Sequence, residues 1–336
     1  MFKITLKVAF QNPIGQKART VIDLVANVRS RLTIICIFIT IISLGQNRKV
    51  CFSYDDLPVV SYGRADSSFQ KNLMKKLIES LNRNRIPAIG FVNETKLYNR
   101  SGLIHFQVGL LDSWSDSGLD LGNHTYSHLD YNTTPYNKFT KDILDGEIMT
   151  KKILSRKGKT LKYFRHPFLH VGNFRERADS LNNFLAAHGY LVAPVTIDNE
   201  DYLFALAYHR AGAKKDKDLM IKIGHDYVDY IEMKLKFYER QANDLFGRNI
   251  SHILLLHASL LNSDYTESLA NMFRKNNYDF ITIEEALEDN AYRTEISSYG
   301  NWGISWVDRW ALSKGKKGEF FKGEPFTPKY IVELAK

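Results

Sequence analysis

At 336 residues, with 44% hydrophobic and 25% charged side chains, the chain is long enough for one large catalytic domain or at most two small ones. That composition excludes collagenous, repeat and intrinsically disordered proteins. The formal net charge of +9 is skewed toward the first 45 residues, where Lys3, Lys7, Lys17, Arg19, Arg29 and Arg31 stand against Asp23. The remainder is only mildly basic and has no Lys/Arg stripe with interleaved aromatics, so no nucleic-acid partner is expected.

In chain order, Arg29 and Arg31 precede an apolar run of 13 residues, 32–44, that closes on Ser43-Leu44-Gly45. A membrane span needs about 20 apolar residues. The pattern therefore reads as a secretory signal, and export to the periplasm, cell envelope or medium is expected, with a mature start near Gln46. The membrane is touched only through this segment, if it stays uncleaved; a buried N-terminal strand or helix is the alternative. Cys36 leaves with the signal, so no structural disulfide with Cys51 is expected.

Beyond the signal, short β-type runs alternate with helix-period stretches. Strands are predicted at 50–54, 88–92, 119–121, 161–164, 191–197, 252–256 and 280–283, and helices at 69–81, 139–154, 175–187 and 265–273. Strands followed by helices imply an α/β barrel or a doubly wound sheet. The interval 198–247 breaks the rhythm with two helical patterns and reads as an insertion on one crossover with a solvated charged face. A C-terminal extension, 291–336, carries Trp302, Trp306 and Trp310 at spacing four, expected to be packing on one helical face, with sugar stacking as the alternative.

The ionisable residues fall at strand ends. Asp55 and Asp56 follow the first strand, His124 and His128 the third, Arg165 the fourth, Asp198 the fifth and His257 the sixth. Carboxyl ends of parallel strands share one face, where active sites form. His124 and His128 are one helical turn apart, and with a carboxylate they make a facial set with open positions for a metal; alone, two loop-capping histidines would look the same. Alternate strand residues face opposite ways, so one of the two aspartates is expected on the metal and the other free as a general base. Arg165 would keep that base ionised, and His257 could protonate a leaving amine. His166 and His170, flanking Arg165, could line the cleft.

These residues resemble the polysaccharide deacetylase family that shares the NodB homology domain, also called carbohydrate esterase family 4. The matching motifs are Ser53-Tyr54-Asp55-Asp56-Leu57, His124-Thr125-Tyr126-Ser127-His128, Arg165-His166-Pro167-Phe168, the approximate fourth motif Asp198 to Tyr202, and Leu255-Leu256-His257, spread over residues 50–288. The resemblance implies a distorted (β/α)7 barrel, here 46–290 with the 198–247 insertion. It implies Asp55 as catalytic base, His257 as acid, Arg165 beside the base, and one divalent metal, as a rule Zn2+, on Asp56, His124 and His128. Leu57 stands where the family has glycine, so the backbone or the substrate wall beside the metal is expected to differ. Tyr202 stands where tryptophan is usual. The expected activity is removal of N-acetyl or other N-acyl groups from a carbohydrate such as peptidoglycan, a chitin-like oligomer or an exopolysaccharide. The alternatives are a hydrolase of small C–N bonds, such as formamido sugars or cyclic ureides, and an inactive carbohydrate-binding module. Adjacent aspartates cannot flank a glycosidic bond at about 5–9 Å, which disfavours a glycosidase.

Overall fold

Strand β1 (Arg48–Leu57) runs through the middle of the molecule, with Val50, Cys51, Phe52, Ser53 and Tyr54 fully buried. Such a continuous buried run belongs to a parallel strand covered on both faces. The structure, a computed structural model, describes residues 48–336; the apolar run 32–44 and its signal reading lie outside the described residues. β2 (Ile89–Val92), β3 (Asp120–Asn123), β4 (Tyr163–Phe164), β5 (Leu191–Val192) and β6 (His252–His257) make a sheet in the order β5-β4-β3-β2-β1-β6, and β7 (Tyr278–Phe280) joins β1 at Arg48–Val50. Every pairing in this sheet is parallel. Past β5 the chain reaches β6, where the Thr196 and Ile197 N–H groups donate to the Ile253 carbonyl. That contact closes the curled sheet into a distorted (β/α)7 barrel.

Helices α1 (Ser67–Arg83), α2 (His105–Asp116), α3 (Tyr136–Asp145), α4 (Ile148–Ser155) and α5 (Arg175–Ala187) occupy the first crossovers. The 198–247 insertion is two helices, α6 (Asp201–Ala213) and α7 (Lys217–Phe246), joined through Phe204, whose ring centroid lies 5.0 Å from that of Tyr230. α8 (Leu260–Lys275) and the short α9 (Ile283–Leu287) follow. Two predicted elements differ. The single helix expected at 139–154 breaks at Gly146, where a Cβ would lie 2.4 Å from the Thr125 carbonyl carbon. The strand expected at 280–283 stops at Phe280, because Thr282 and Glu285 form a reciprocal capping box that starts α9.

In the C-terminal extension, α10 (Trp306–Ser313) precedes α11 (Lys329–Leu334). The Trp306 N–H donates to the Val195 carbonyl, which fastens the extension to the barrel. Trp306 and Trp310 are buried packing residues. Trp302 is not on their face, since the helix begins only at Trp306; it precedes the helix and lies beside the Arg309 guanidinium. Residues Arg48–Lys336 form one compact unit.

Candidate active site

Strict alternation along β1 would put Asp55 and Asp56 on opposite faces. Instead the register with β2 slips between Tyr54 and Leu57, and Asp56 takes a left-handed φ of 63°. Both carboxylates therefore turn toward His124, whose Nε2 lies 3.7 Å from Asp55 Oδ2 and 3.8 Å from Asp56 Oδ1. His128 reaches the same oxygen, with Nε2 3.7 Å from Asp56 Oδ1. The loop bearing both histidines is itself twisted, with Thr125 at φ 67° and His128 at φ 55°. The Thr125 hydroxyl accepts the His128 N–H at 3.0 Å, and Gly146 packs against the Thr125–Tyr126 backbone. Non-glycine residues in this region are strained, and such strain clusters at functional sites.

The partners of the two aspartates separate them. Both oxygens of Asp55 face Arg165 Nη1, at 3.2 and 3.3 Å, and Arg165 is wholly buried, with further bonds to Ser53 Oγ and the Ala193 carbonyl. Burial raises the Asp55 pKa, against the pull of Arg165. Asp56 Oδ1 is buried and has no hydrogen-bond donor. Burial opposes ionisation of Asp56 too, but Lys96 and the surrounding histidines outweigh it and hold this carboxyl below the usual range.

Burial pushes His124 and His128 down to about 4, which leaves both rings neutral at neutral pH. His124 Nδ1–H donates to the Arg165 carbonyl at 2.9 Å, which turns the Nε2 lone pair toward Asp56. One ligand atom from each of Asp56, His124 and His128 lies within 4.8 Å of the others. A buried carboxylate oxygen without a donor, facing two neutral imidazole nitrogens, is ill-satisfied by protein alone and suits a divalent cation. The residues present fit such a metal.

His257 ends β6, paired with Asp55 in the parallel register. Its Nδ1 lies 2.6 Å from Asp201 Oδ1, its N–H donates to Asp201 Oδ2, and Asn262 Nδ2 donates to the same carboxylate. Burial favours the neutral ring, but Asp201, with smaller help from Asp56 and Asp55, overrides it and raises the pKa to about 9.

Several expectations change. Asp198 does not join the site: its carboxyl, raised to about 6 by burial, has Lys234, Glu324 and Glu200 among its charged neighbours. Asp201, three residues on, is the aspartate that meets His257, because the first turn of α6 carries it back over β6. Leu57 does not form a substrate wall; it is fully buried against Gly90, where a Cβ would sit 2.3 Å from its side chain. Tyr202 is 47% exposed, one residue past Asp201. His166 is buried beside Trp306, and His170 pairs with Asp130 at 2.7 Å. Phe168, 53% exposed, sets its ring 4.5 Å from His128. Lys96, which donates to the Asp56 carbonyl at 2.5 Å, had no motif to flag it. Asp201 could have been found from the spacing Asp198-x-x-Asp201-Tyr202, in which an aromatic follows the second aspartate.

The curled parallel barrel thus gathers these groups at one rim. Residues 45–190 match the family model for polysaccharide deacetylase. The match contains Asp55, Asp56, His124, His128 and Arg165; Asp201 and His257 lie beyond it. No curated protein matches the chain significantly. Among solved structures, the peptidoglycan deacetylase PdaC of Bacillus subtilis is 15% identical, covering 74% of this chain and 94% of that one, with a TM-score of 0.45. A family 4 carbohydrate esterase from Bacillus anthracis is 18% identical over 73% and 84%, with a TM-score of 0.44. A family 4 pseudoenzyme, also from Bacillus anthracis, is 13% identical over 72% and 66%, with a TM-score of 0.44.

Proposed function

We propose that this protein removes N-acetyl groups from an envelope glycan, with Asp55 as general base, His257 as general acid, and one divalent metal, Zn2+, on Asp56, His124 and His128. The observation that carries the reading is the unpartnered Asp56 Oδ1 facing two neutral imidazoles, 3.7–3.8 Å away, beside a second carboxylate already committed to an arginine. When bound, the metal would supply Lewis-acid polarisation of the amide and of a water. Asp55 accepts the proton of the attacking water, and Arg165 holds the carboxylate in place and balances its charge. His257, tied through Nδ1 to Asp201, has Nε2 left to protonate the departing nitrogen. A ring kept charged up to about pH 9 is a competent donor at neutral pH.

The same reading extends to domain organisation: 1–45 is a signal or anchor, 46–290 the catalytic barrel and 291–336 an extension that supports it. Among the described residues no helix is long and apolar enough to cross a membrane. Export is tested by N-terminal sequencing of protein recovered from the envelope or medium; full-length chain confined to the cytoplasm refutes it.

Activity is tested by acetate release from a panel of acetylated glycans, with small formamido and ureide compounds alongside, with and without zinc. Release from glycans that is lost on chelation and restored by zinc is expected. Cleavage of the small compounds alone selects the small-substrate reading, and binding of glycans without cleavage selects the inactive module.

A further inference from the structure

The C-terminal extension lays a strap, residues 314–327, along the second half of α7. Lys314 Nζ donates to the Leu245 carbonyl at 3.3 Å, Gln241 Nε2 to the Phe320 carbonyl at 3.4 Å and Arg240 Nη2 to the Lys322 carbonyl at 2.9 Å. Farther along, Lys234 Nζ meets Glu324 Oε1 at 2.5 Å, and the Thr327 hydroxyl donates to Glu200 Oε2 at 2.6 Å. Pinned to the helix in this way, the strap turns its exposed side chains away from the barrel. Lys314, Lys316, Lys317 and Lys322 are exposed on it, with Lys236 and Arg240 exposed beside it on α7. The carboxylates among them are Glu239, shared between Arg48 and Lys236, and the exposed Asp244 and Glu319, so the face stays positive. It also holds apolar groups in water: Phe326 is 87% exposed between the Glu324 and Thr327 anchors, and Met233 is 49% exposed on α7. A lone exposed phenylalanine needs no partner, but one held out by a pinned strap among these cations does. Clusters of roughly four to eight Lys/Arg bind anionic headgroups, and aromatic rings settle at the boundary between headgroups and acyl chains. A soluble polyanion would engage the lysines and leave Phe326 in water. The face also borders the start of β1, where Arg48 Nη1 lies 2.6 Å from Glu239 Oε1. In sequence the apolar run 32–44 ends four residues before Arg48, about 14 Å of extended chain, so a bilayer that held the run would reach this face by chain length alone.

We propose that this face docks the barrel on the surface of an anionic phospholipid bilayer, with Lys316, Lys317 and Lys322 at the headgroups and Phe326 at their boundary with the acyl chains. It is a membrane contact additional to the N-terminal segment, and it does not depend on the deacetylase reading.

The experiment places a fluorescent reporter on the face itself, so that insertion of the N-terminal run elsewhere does not register. The full chain carrying Phe326→Trp is mixed with vesicles of phosphatidylcholine alone or with a third phosphatidylglycerol, and its emission is read as the difference from wild type. A blue shift is expected with the anionic vesicles and none with the neutral ones, and high salt should reverse it, because exposed charges are then screened. In the same background, Lys316→Gln with Lys317→Gln should raise the anionic lipid needed for half the shift by about 30-fold, the weight of two lysines at a charged surface. Lys71→Gln with Lys75→Gln, an exposed pair on α1, should leave it unchanged. No shift with anionic vesicles, an equal shift with neutral ones, or a shift indifferent to the Lys316 and Lys317 changes overturns the proposal. An equal shift with soluble dextran sulfate assigns the face to a polyanion and overturns it too.

Discussion

The two flanks of the site are built on opposite principles. On the metal flank, Asp56, Thr125, His128, Phe168 and Leu169 all sit at φ between 54° and 67°, and a buried carboxylate oxygen has no donor. On the proton-donor flank, His257 is the last residue of a regular strand, Asp201 opens a helix, and every oxygen of Asp201 is bonded. Left-handed backbone at non-glycine positions costs about 1–2 kcal/mol per residue and persists only where the surroundings over-determine it. The Asp56 flank thus carries strain and a buried oxygen that a cation would satisfy, whereas the His257 flank is fully bonded by protein groups alone. Removing the metal should loosen 124–128 and leave His257 in place.

The largest expected effect falls on the strained flank. His128→Ala should lose the bound metal and at least about 10²-fold in kcat/KM, more than the loss of a group that merely supports a ligand. Elemental analysis beside wild type checks this, and equal stoichiometric metal in both proteins would refute the triad. Asp55→Asn lies between the flanks: about 10²–10⁴-fold loss in kcat is expected with metal retained. If the metal goes instead, the roles of the two aspartates are exchanged.

On the ordered flank, Asp201→Asn should bring the His257 pKa down from about 9 toward its ordinary 6.5, read by NMR titration of the metal-free protein. The folded-state value is raised, so the charged pair contributes stability that is fully present below pH 6.5 and lost as pH rises through 9. The melting-temperature gap between metal-free wild type and Asp201→Asn should therefore be widest in acid and close by about pH 9; a pH-independent gap would refute the pair's ionic character. The smallest effect tests the comparison most finely. Gly146→Ala pushes a methyl into the Thr125 backbone, which should destabilise by about 1–3 kcal/mol and weaken metal affinity while leaving the His257 titration unmoved. A shift in both would show that the flanks are coupled.

Local signals carried much of this protein in the sequence. Hydrophobic runs at 50–54, 88–92 and 252–256 located the inner strands, because a strand buried on both faces must be continuously apolar. The 3.6-residue period located α5 to the residue, Arg175–Ala187. The Asp-Asp pair, the His-x3-His pair, Arg165 and His257 were legible as chemistry at strand ends. The Thr282-x-x-Glu285 box was legible too, although the strand prediction ran through it.

Tertiary structure decided what depends on distant backbone. That Asp55 and Asp56 face one imidazole follows from a register slip against β2, which alternation along one strand cannot reveal. That Asp201 rather than Asp198 holds His257 depends on where the insertion re-enters the rim. Leu57 is harmless because Gly90, on the neighbouring strand, leaves room for it. Lys96 reaches the Asp56 carbonyl from 40 residues away, and no periodicity within either segment encodes that meeting. Sequence patterns report which side chains an element must bury; which charged groups then meet at the rim is set by pairing register and by loops whose strained dihedrals only the assembled barrel enforces.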